Sequence, residues 1–515
     1  MKTILIYLTL QTSKGFVTEN LMDKKQRNWV LAALMITMML AAMDSTIVAT
    51  AIPQIVGDLG GFSLFSWLFS IYLLVQTVTI PIYGKLADIY GRKPILIIGI
   101  IIFLTGSLAC AASWNMQSLI WFRGLQAVGA GAVMATVNTI AGDIYTIKER
   151  AKIQGWLSSV WGISAVIGPA LGGAIVDNIS WRWIFLINLP IGLLAIGLIS
   201  YHLIERKIHN IHKIDWTGAL LVLISGSALL FGLLQGGRSW AWLSVESFGI
   251  LGVSILSGML LLKVEKKANE PILPGWVWTR RVLLGANLAT IGMGITTMGA
   301  NMYIPVFAQS VNGVSAMEAG FILASMSVTW PLFSSLSGNL YLKIGFRNTA
   351  LFGMLIVITG ASIFHFLPFQ GSVWMLVVIM LFLGAGFGLT GTPLMVGVQS
   401  TVKWGQRGVV TGANMFSRYF GQSLGAAILA AVFNSVLTSR ISNPPSEISG
   451  QLPAVNDVVG DLQSHTLTAE ISNYLQLSIY DSMSMVFNGM VITGLITVGI
   501  LLLTPAKFPT LKENM

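Results

Sequence analysis

Apolar runs of about 20 residues, separated by short charged loops, dominate this sequence from residue 30 to residue 504. A run of that length crosses roughly 30 Å of hydrocarbon as an α-helix. Fourteen can be marked: 30–52, 64–86, 94–112, 116–138, 153–176, 183–203, 215–235, 246–264, 282–308, 317–341, 348–367, 373–397, 410–437 and 482–504. Lipid offers the backbone no water, so each run must satisfy its own N–H and C=O groups and folds as a helix. A membrane β-barrel would alternate polar and apolar residues in segments of about ten, and no such alternation is present. Composition agrees: 54% of the 515 residues are hydrophobic and 10% charged, against about 25% charged in soluble domains. The expected fold class is an all-α polytopic membrane protein.

The sparse charges orient the chain. With the N-terminus inside, 23 Lys and Arg residues fall in inner loops, from Lys24, Lys25 and Arg27 through to Lys507 and Lys512. The outer loops hold Arg182, Arg238 and Arg440. Lys and Arg concentrate on the cytoplasmic side, so both termini are expected there. The net charge of +10 lies in these loops rather than on a basic face, which argues against nucleic acid as a partner. The single cysteine, Cys110, sits within an apolar run; this excludes an intrachain disulfide and a cysteine-cluster metal site. Residues Met1 to Phe16 have a short apolar stretch but no small-residue cleavage site. They are expected to be a non-membrane extension ahead of an alternative start at Met22. Trp181, Trp183, Trp240 and Trp242 stand at span ends, as an aromatic belt does.

A repeat divides the chain. Gly84-Lys85-Leu86 precedes Gly91-Arg92-Lys93 after the second span, and Gly338-Asn339-Leu340 precedes Gly345-Phe346-Arg347 after the tenth. Each copy follows two spans if counting restarts at the ninth. The architecture is then 14 transmembrane helices as 6 + 2 + 6 in two pseudo-symmetric bundles, with a substrate site near the midplane between them. The corresponding segments are a cytoplasmic stretch 1–29, a bundle 30–203, an insert with its linkers 204–281, a bundle 282–504 and a tail 505–515. An outer loop at 438–481 interrupts the second bundle.

Several of these motifs resemble the major facilitator superfamily. Gly84 to Lys93 is similar to its signature loop between helices 2 and 3. Arg123 to Gly129 is similar to the helix 4 motif, with Ala127 where glycine is usual. Gly162 and Gly168-Pro169-Ala170-Leu171-Gly172-Gly173 resemble the helix 5 motif of antiporters. Asp44 to Pro53 and Trp181 to Pro190 resemble marks of the fourteen-helix drug:proton antiporter branch. The resemblance implies the major facilitator fold, a monomer, and export of small molecules in exchange for protons.

Asp44 lies about 14 residues into the first span, roughly 21 Å from its inner end. A carboxylate at that depth is costly unless protonated, paired or facing water. A carboxyl group that exchanges a proton with water on alternating sides suits a proton carrier; a structural bond between helices is the alternative. One charge crossing 100 mV is worth about 2.3 kcal/mol, enough for roughly a fiftyfold gradient. Arg123 is long enough to snorkel outward, whereas the resemblance implies a buried, proton-coupling role. Gly84, Asp88, Gly91 and Arg92 are expected to form a conformational latch, with Asp88 receiving a helix N-terminus or pairing with Arg92, Lys93 or the Arg150 region. Leu342 replaces the aspartate in the second copy, so the latch is expected to be asymmetric. Gly162, Gly168, Gly172 and Gly173 allow close helix packing, and Pro169 can bend the span.

Asp143 and Glu318 read as solvated boundary charges, with Glu318 a further candidate for an external proton or cation site. Tyr72, Gln76, Met134, Asn138, Met298, Asn301, Tyr303, Gln309, Met326 and Trp330 are candidate cavity residues, since methionines and aromatics adapt to varied apolar or cationic ligands; helix packing or lipid contact is the alternative for each. No Walker sequence, metal-ligand cluster or nucleophile–base pair is present. No cofactor is expected. The expected function is proton-coupled export of drugs or other lipophilic or cationic organic compounds. A dedicated exporter of one metabolite, siderophore, fatty acid or antibiotic is the alternative, and a membrane sensor on the same fold a third.

Overall fold

The computed structural model describes residues 22–511 apart from 61–63, 65–66, 206–214, 237–239, 242, 269, 446–447, 449–451, 454–457, 459–461 and 463–466. The terminal extension 1–21 and Trp242 therefore lie outside the described residues. Fourteen long helices account for the fourteen apolar runs. Those before the insert are α1 (Lys24–Leu59), α2 (Trp67–Tyr90), α3 (Arg92–Ala111), α4 (Met116–Ile144), α5 (Ile147–Asn178) and α6 (Asn188–His202). The insert is α7 (Trp216–Gln235) and α8 (Val245–Glu265). The rest are α9 (Arg281–Ser310), α10 (Ala316–Ile344), α11 (Phe346–Ile363), α12 (Val373–Ser400), α13 (Arg407–Ser442) and α14 (Ala469–Leu503).

Side chains close the helix starts where the sequence changes from loop to apolar run. Asp23 accepts from the Gln26 amide at 2.6 Å, and Asn115 with Ser118, Thr146 with Glu149 and Ser315 with Glu318 form reciprocal capping boxes. These bonds occupy amides that the first turn leaves unpaired. Among the described residues, thirteen helical segments are long and apolar enough to cross a membrane. The long helix α5 is not one of the thirteen; it packs between α1 and α10.

The packing repeats itself. In the first half α1 meets α5 and α6, and α4 meets α2 and α3; in the second, α9 meets α13 and α14, and α12 meets α10 and α11. Each half has its own apolar core: one gathers Leu34, Phe103 and Met134, the other Phe307, Phe364 and Phe487. The halves join along two seams, α2 with α13 and α5 with α10. The insert packs through α7 onto α2 and α13, while α8 packs on α7. Two helix ends differ from expectation. Helix α13 continues to Ser442 and α14 begins at Ala469, so the connection is shorter than 438–481: both helices run past their apolar windows because polar residues at their ends still complete helical turns.

Candidate functional site

Helix α1 presents Asp44 to the interior of the first bundle, where it is 1% exposed. Arg123 of α4 donates to Asp44 Oδ2 at 2.5 Å. Gln126, one turn along α4, donates to Oδ1 at 2.8 Å, and Asn188 of α6 to the same oxygen at 3.3 Å. Ser107 of α3 accepts from both amides. The Arg123 guanidinium also lies 4.3 Å from the centre of the Tyr72 ring. Arg123 does not snorkel: it is 1% exposed. The two residues singled out for proton coupling thus form one ion pair. Such a pair offsets much of its desolvation, and removing either partner strands the other.

The central cavity, about 350 Å³, lies between the bundles. Met38 and Thr46 of α1 line it, as do Met134 and Asn138 of α4, Asn301 of α9, Met326 and Trp330 of α10, and Arg418 and Tyr419 of α13. Asp44 is not among the lining residues; in this conformation it sits behind the cavity wall. Of the ten candidate cavity residues, Met134, Asn138, Asn301, Met326 and Trp330 line the space, and Tyr72, Gln76, Met298, Tyr303 and Gln309 do not. Tyr72 and Gln76 are buried on the face of α2 toward α4, with the Gln76 carbonyl against Gly131. Tyr303 packs on Phe433 at 5.3 Å, and Gln309 donates back to the Pro305 carbonyl. Among the described residues, none that lines the cavity is a carboxylate that could receive a cationic ligand. Arg418 escaped the sequence reading, although a lone arginine inside an apolar run was a usable signal.

Beyond the cavity the bundles are fastened at the end where α2 meets α3 and α12 meets α13. Asp88 accepts from Arg92 at 2.7 Å and, across the seam, from the backbone amides of Gly408 and Val409 at the start of α13 at 3.0 and 2.9 Å. The positive end of a helix dipole favours such a carboxylate. Arg92 also donates to Asp143 at 2.9 Å and to the Trp404 carbonyl at 2.7 Å, and lies 3.6 Å over the Trp404 ring. Arg407 reaches Asp143 at 3.2 Å. Asp143 is therefore no solvated boundary charge: its side chain is 5% exposed between two arginines. Lys93 and Arg150 do not pair with Asp88; Lys93 donates to the Ser200 and Leu203 carbonyls and Arg150 to that of Tyr145.

Gly84 makes this crossing possible, because a methyl group there would sit 2.4 Å from the Gly408 carbonyl oxygen. Gly91 turns the chain at φ +99°, and Gly345 turns its counterpart at φ +86°, the region where a side chain is strained. Glu205 accepts from the Arg92 and Lys93 amides at 2.7 and 2.9 Å. Burial raises its pKa above the ordinary carboxylate value, against the pull of those two bonds.

The second seam closes at the same end. A methyl at Gly338 would lie 2.6 Å from Ala151, and one at Gly162 would lie 2.9 Å from Ser327. Gly320, two turns further along the same face of α10, has nothing within 4 Å. The helices therefore part toward the other end. Gly168 packs on Thr46 of α1, Gly172 is buried, and Gly173 has open space; the side chain of Pro169 lies outside the described residues. Glu318 is an exposed capping residue. Trp181 is not in an aromatic belt: it is buried and donates to Asp58 at 3.0 Å.

Comparison with known proteins agrees with this architecture. The sequence profile of the Major Facilitator Superfamily matches residues 34–426. The chain is 35% identical to the multidrug transporter protein MdtP of Bacillus subtilis over 516 residues, covering 95% of each. It is 36% identical to multidrug resistance protein 3 of the same organism, covering 82% of each. In structure it is similar to the human organic anion transporter MFSD10 (TETRAN), with a TM-score of 0.62 over 93% of this chain and 100% of that one. At 13% identity that likeness bears on the fold alone.

Proposed function

This chain belongs to the major facilitator superfamily, and on that premise we propose that it exports organic compounds from the cytoplasm in exchange for protons. It is a multi-pass membrane transporter, not an enzyme. The observation that carries the proposal is the buried Asp44–Arg123 pair on the same two helices that line the cavity. On α1, Asp44 faces the pair while Met38 and Thr46 face the cavity; on α4, Arg123 and Gln126 face the pair while Met134 and Asn138 face the cavity.

The positive-inside distribution supports a cytoplasmic location for the fastened end. The described conformation then faces outward, with the cavity behind a closed cytoplasmic seam. A proton arriving from outside neutralises Asp44 and leaves Arg123 without its counter-charge, so α1 and α4 must repack. That repacking reshapes the cavity wall and releases cargo. Return to the inward-facing state opens the Asp88 seam, and Asp44 gives its proton to the cytoplasm. Relatives named as a multidrug transporter and a multidrug resistance protein support the outward direction.

The test is dye efflux by the full chain in proteoliposomes with an imposed pH gradient. Asp44→Asn is expected to abolish uphill, gradient-driven transport, lowering it at least tenfold, while downhill exchange of dye persists. Undiminished uphill transport by Asp44→Asn, or wild-type accumulation that ignores the gradient, would refute proton exchange.

A further inference from the structure

The central cavity carries one charged side chain among its described lining residues, Arg418. The buried arginines have anionic or carbonyl partners: Arg123 has Asp44, Arg92 has Asp88 and Asp143, and Arg150 has the Tyr145 carbonyl. For Arg418 the described contact is a ring face, its guanidinium carbon 4.9 Å from the centre of Trp330. A ring face attracts the cation but does not occupy the N–H groups around the guanidinium edge.

Asp44 lies behind the cavity wall and already holds Arg123 and two amides. An unpaired guanidinium in a membrane-depth cavity is costly. A ligand acid can relieve that cost through two parallel N–H···O bonds, the geometry to which arginine is suited. Around it the cavity offers an apolar, deformable surface of Met38, Met134, Met326 and Met395, with Trp161 and Tyr419 as flat faces. A cationic ligand would enter against Arg418 with no lining carboxylate to balance it.

We propose that the cargo of this transporter is an organic anion, a carboxylate on an aromatic or apolar body, whose acid group is bound by Arg418 and whose body packs against Trp330 and the lining methionines. The proposal rests on the export reading and names its substrate class. Asn301 and Gln422 also line the cavity and carry side-chain amides that can donate to the remaining lone pairs of the acid.

Binding tests this apart from flux. Tryptophan quenching of the purified full chain is titrated with 1-naphthylacetate, with its neutral amide, and with 1-naphthylethylamine, three ligands of one ring and different charge. Wild type is expected to bind the carboxylate at least tenfold more tightly than the amine. Arg418→Gln is expected to remove that preference, weakening the carboxylate far more than the amide, and Arg418→Lys to restore part of it. Equal binding of carboxylate and amine by wild type would overturn the proposal, and that comparison needs no variant to fold. An unchanged preference in a folded Arg418→Gln protein would also overturn it, as would full displacement of the carboxylate by equimolar chloride. Failure of the export reading has a different signature: the carboxylate binds with this preference but is not carried across proteoliposomes.

Discussion

Deleting the guanidinium at position 123 would strand a carboxylate that is 1% exposed. Breaking a buried pair from one side costs about 3–5 kcal/mol. Arg123→Ala is therefore expected to lower the Tm in detergent sharply, and adding Asp44→Asn should recover much of the loss because no ionised group is then left alone. Equal destabilisation by the single and double variants would mean that the pair carries no coupling. The depth of Asp44 and Arg123 was legible in the sequence because each interrupts an apolar run. Their pairing was not, since a helix that is apolar all round gives no direction to any one face. The same limit explains Tyr72, which packs beneath Arg123 rather than in the cavity, and Tyr303, which turns into the second core. Asp143 read as a boundary charge because its two arginine partners come from distant segments, one 51 residues before it and the other 264 after it.

Where α2 crosses α13, backbone meets backbone, and the contact has no flexible side chain to yield. Gly84→Ala would bring a methyl 2.4 Å from a carbonyl oxygen, so the seam should fail to close. We expect the variant to populate the opposite conformation, seen as faster labelling of a cysteine placed at Asn138 by a thiol reagent added from the basic end. Unaltered labelling would show that the crossing tolerates the methyl. Asp88→Asn keeps the shape but removes the charge that faces the start of α13 and Arg92; it should shift the same balance less, and with little dependence on salt because the pair is buried. The repeat that marks these loops was legible as G-x-L with a second glycine, and the two positive φ values at Gly91 and Gly345 give that spacing its reason. The far ends of α13 and α14 were not legible, because helix continues into residues too polar for an apolar window.

Across the whole molecule, α4 joins three tasks on one rigid rod: Arg123 at the buried pair, Met134 and Asn138 at the cavity, and Asp143 at the fastened end. Twenty residues separate the first from the last, about 30 Å of helix. Motion forced at the pair is therefore delivered to the seam without a chain of soft intermediates. A disulfide between Ala151→Cys and Gly338→Cys, on the other seam, would hold the bundles closed at that end after a separation of about an ångström. Transport should fall to background and return with reductant; transport surviving the crosslink would show that the seam need not open.

The insert gives this vessel a handedness of access. Trp67 of α2 lies 5.4 Å from Phe231 of α7, Val78 meets Gly226, and Lys85 pairs with Glu270 at 2.5 Å. One flank between the bundles is thereby shuttered along its length. The opposite flank, beside α5 and α10, has no described insert helix packed on it, and Trp161 of α5 lines the cavity there.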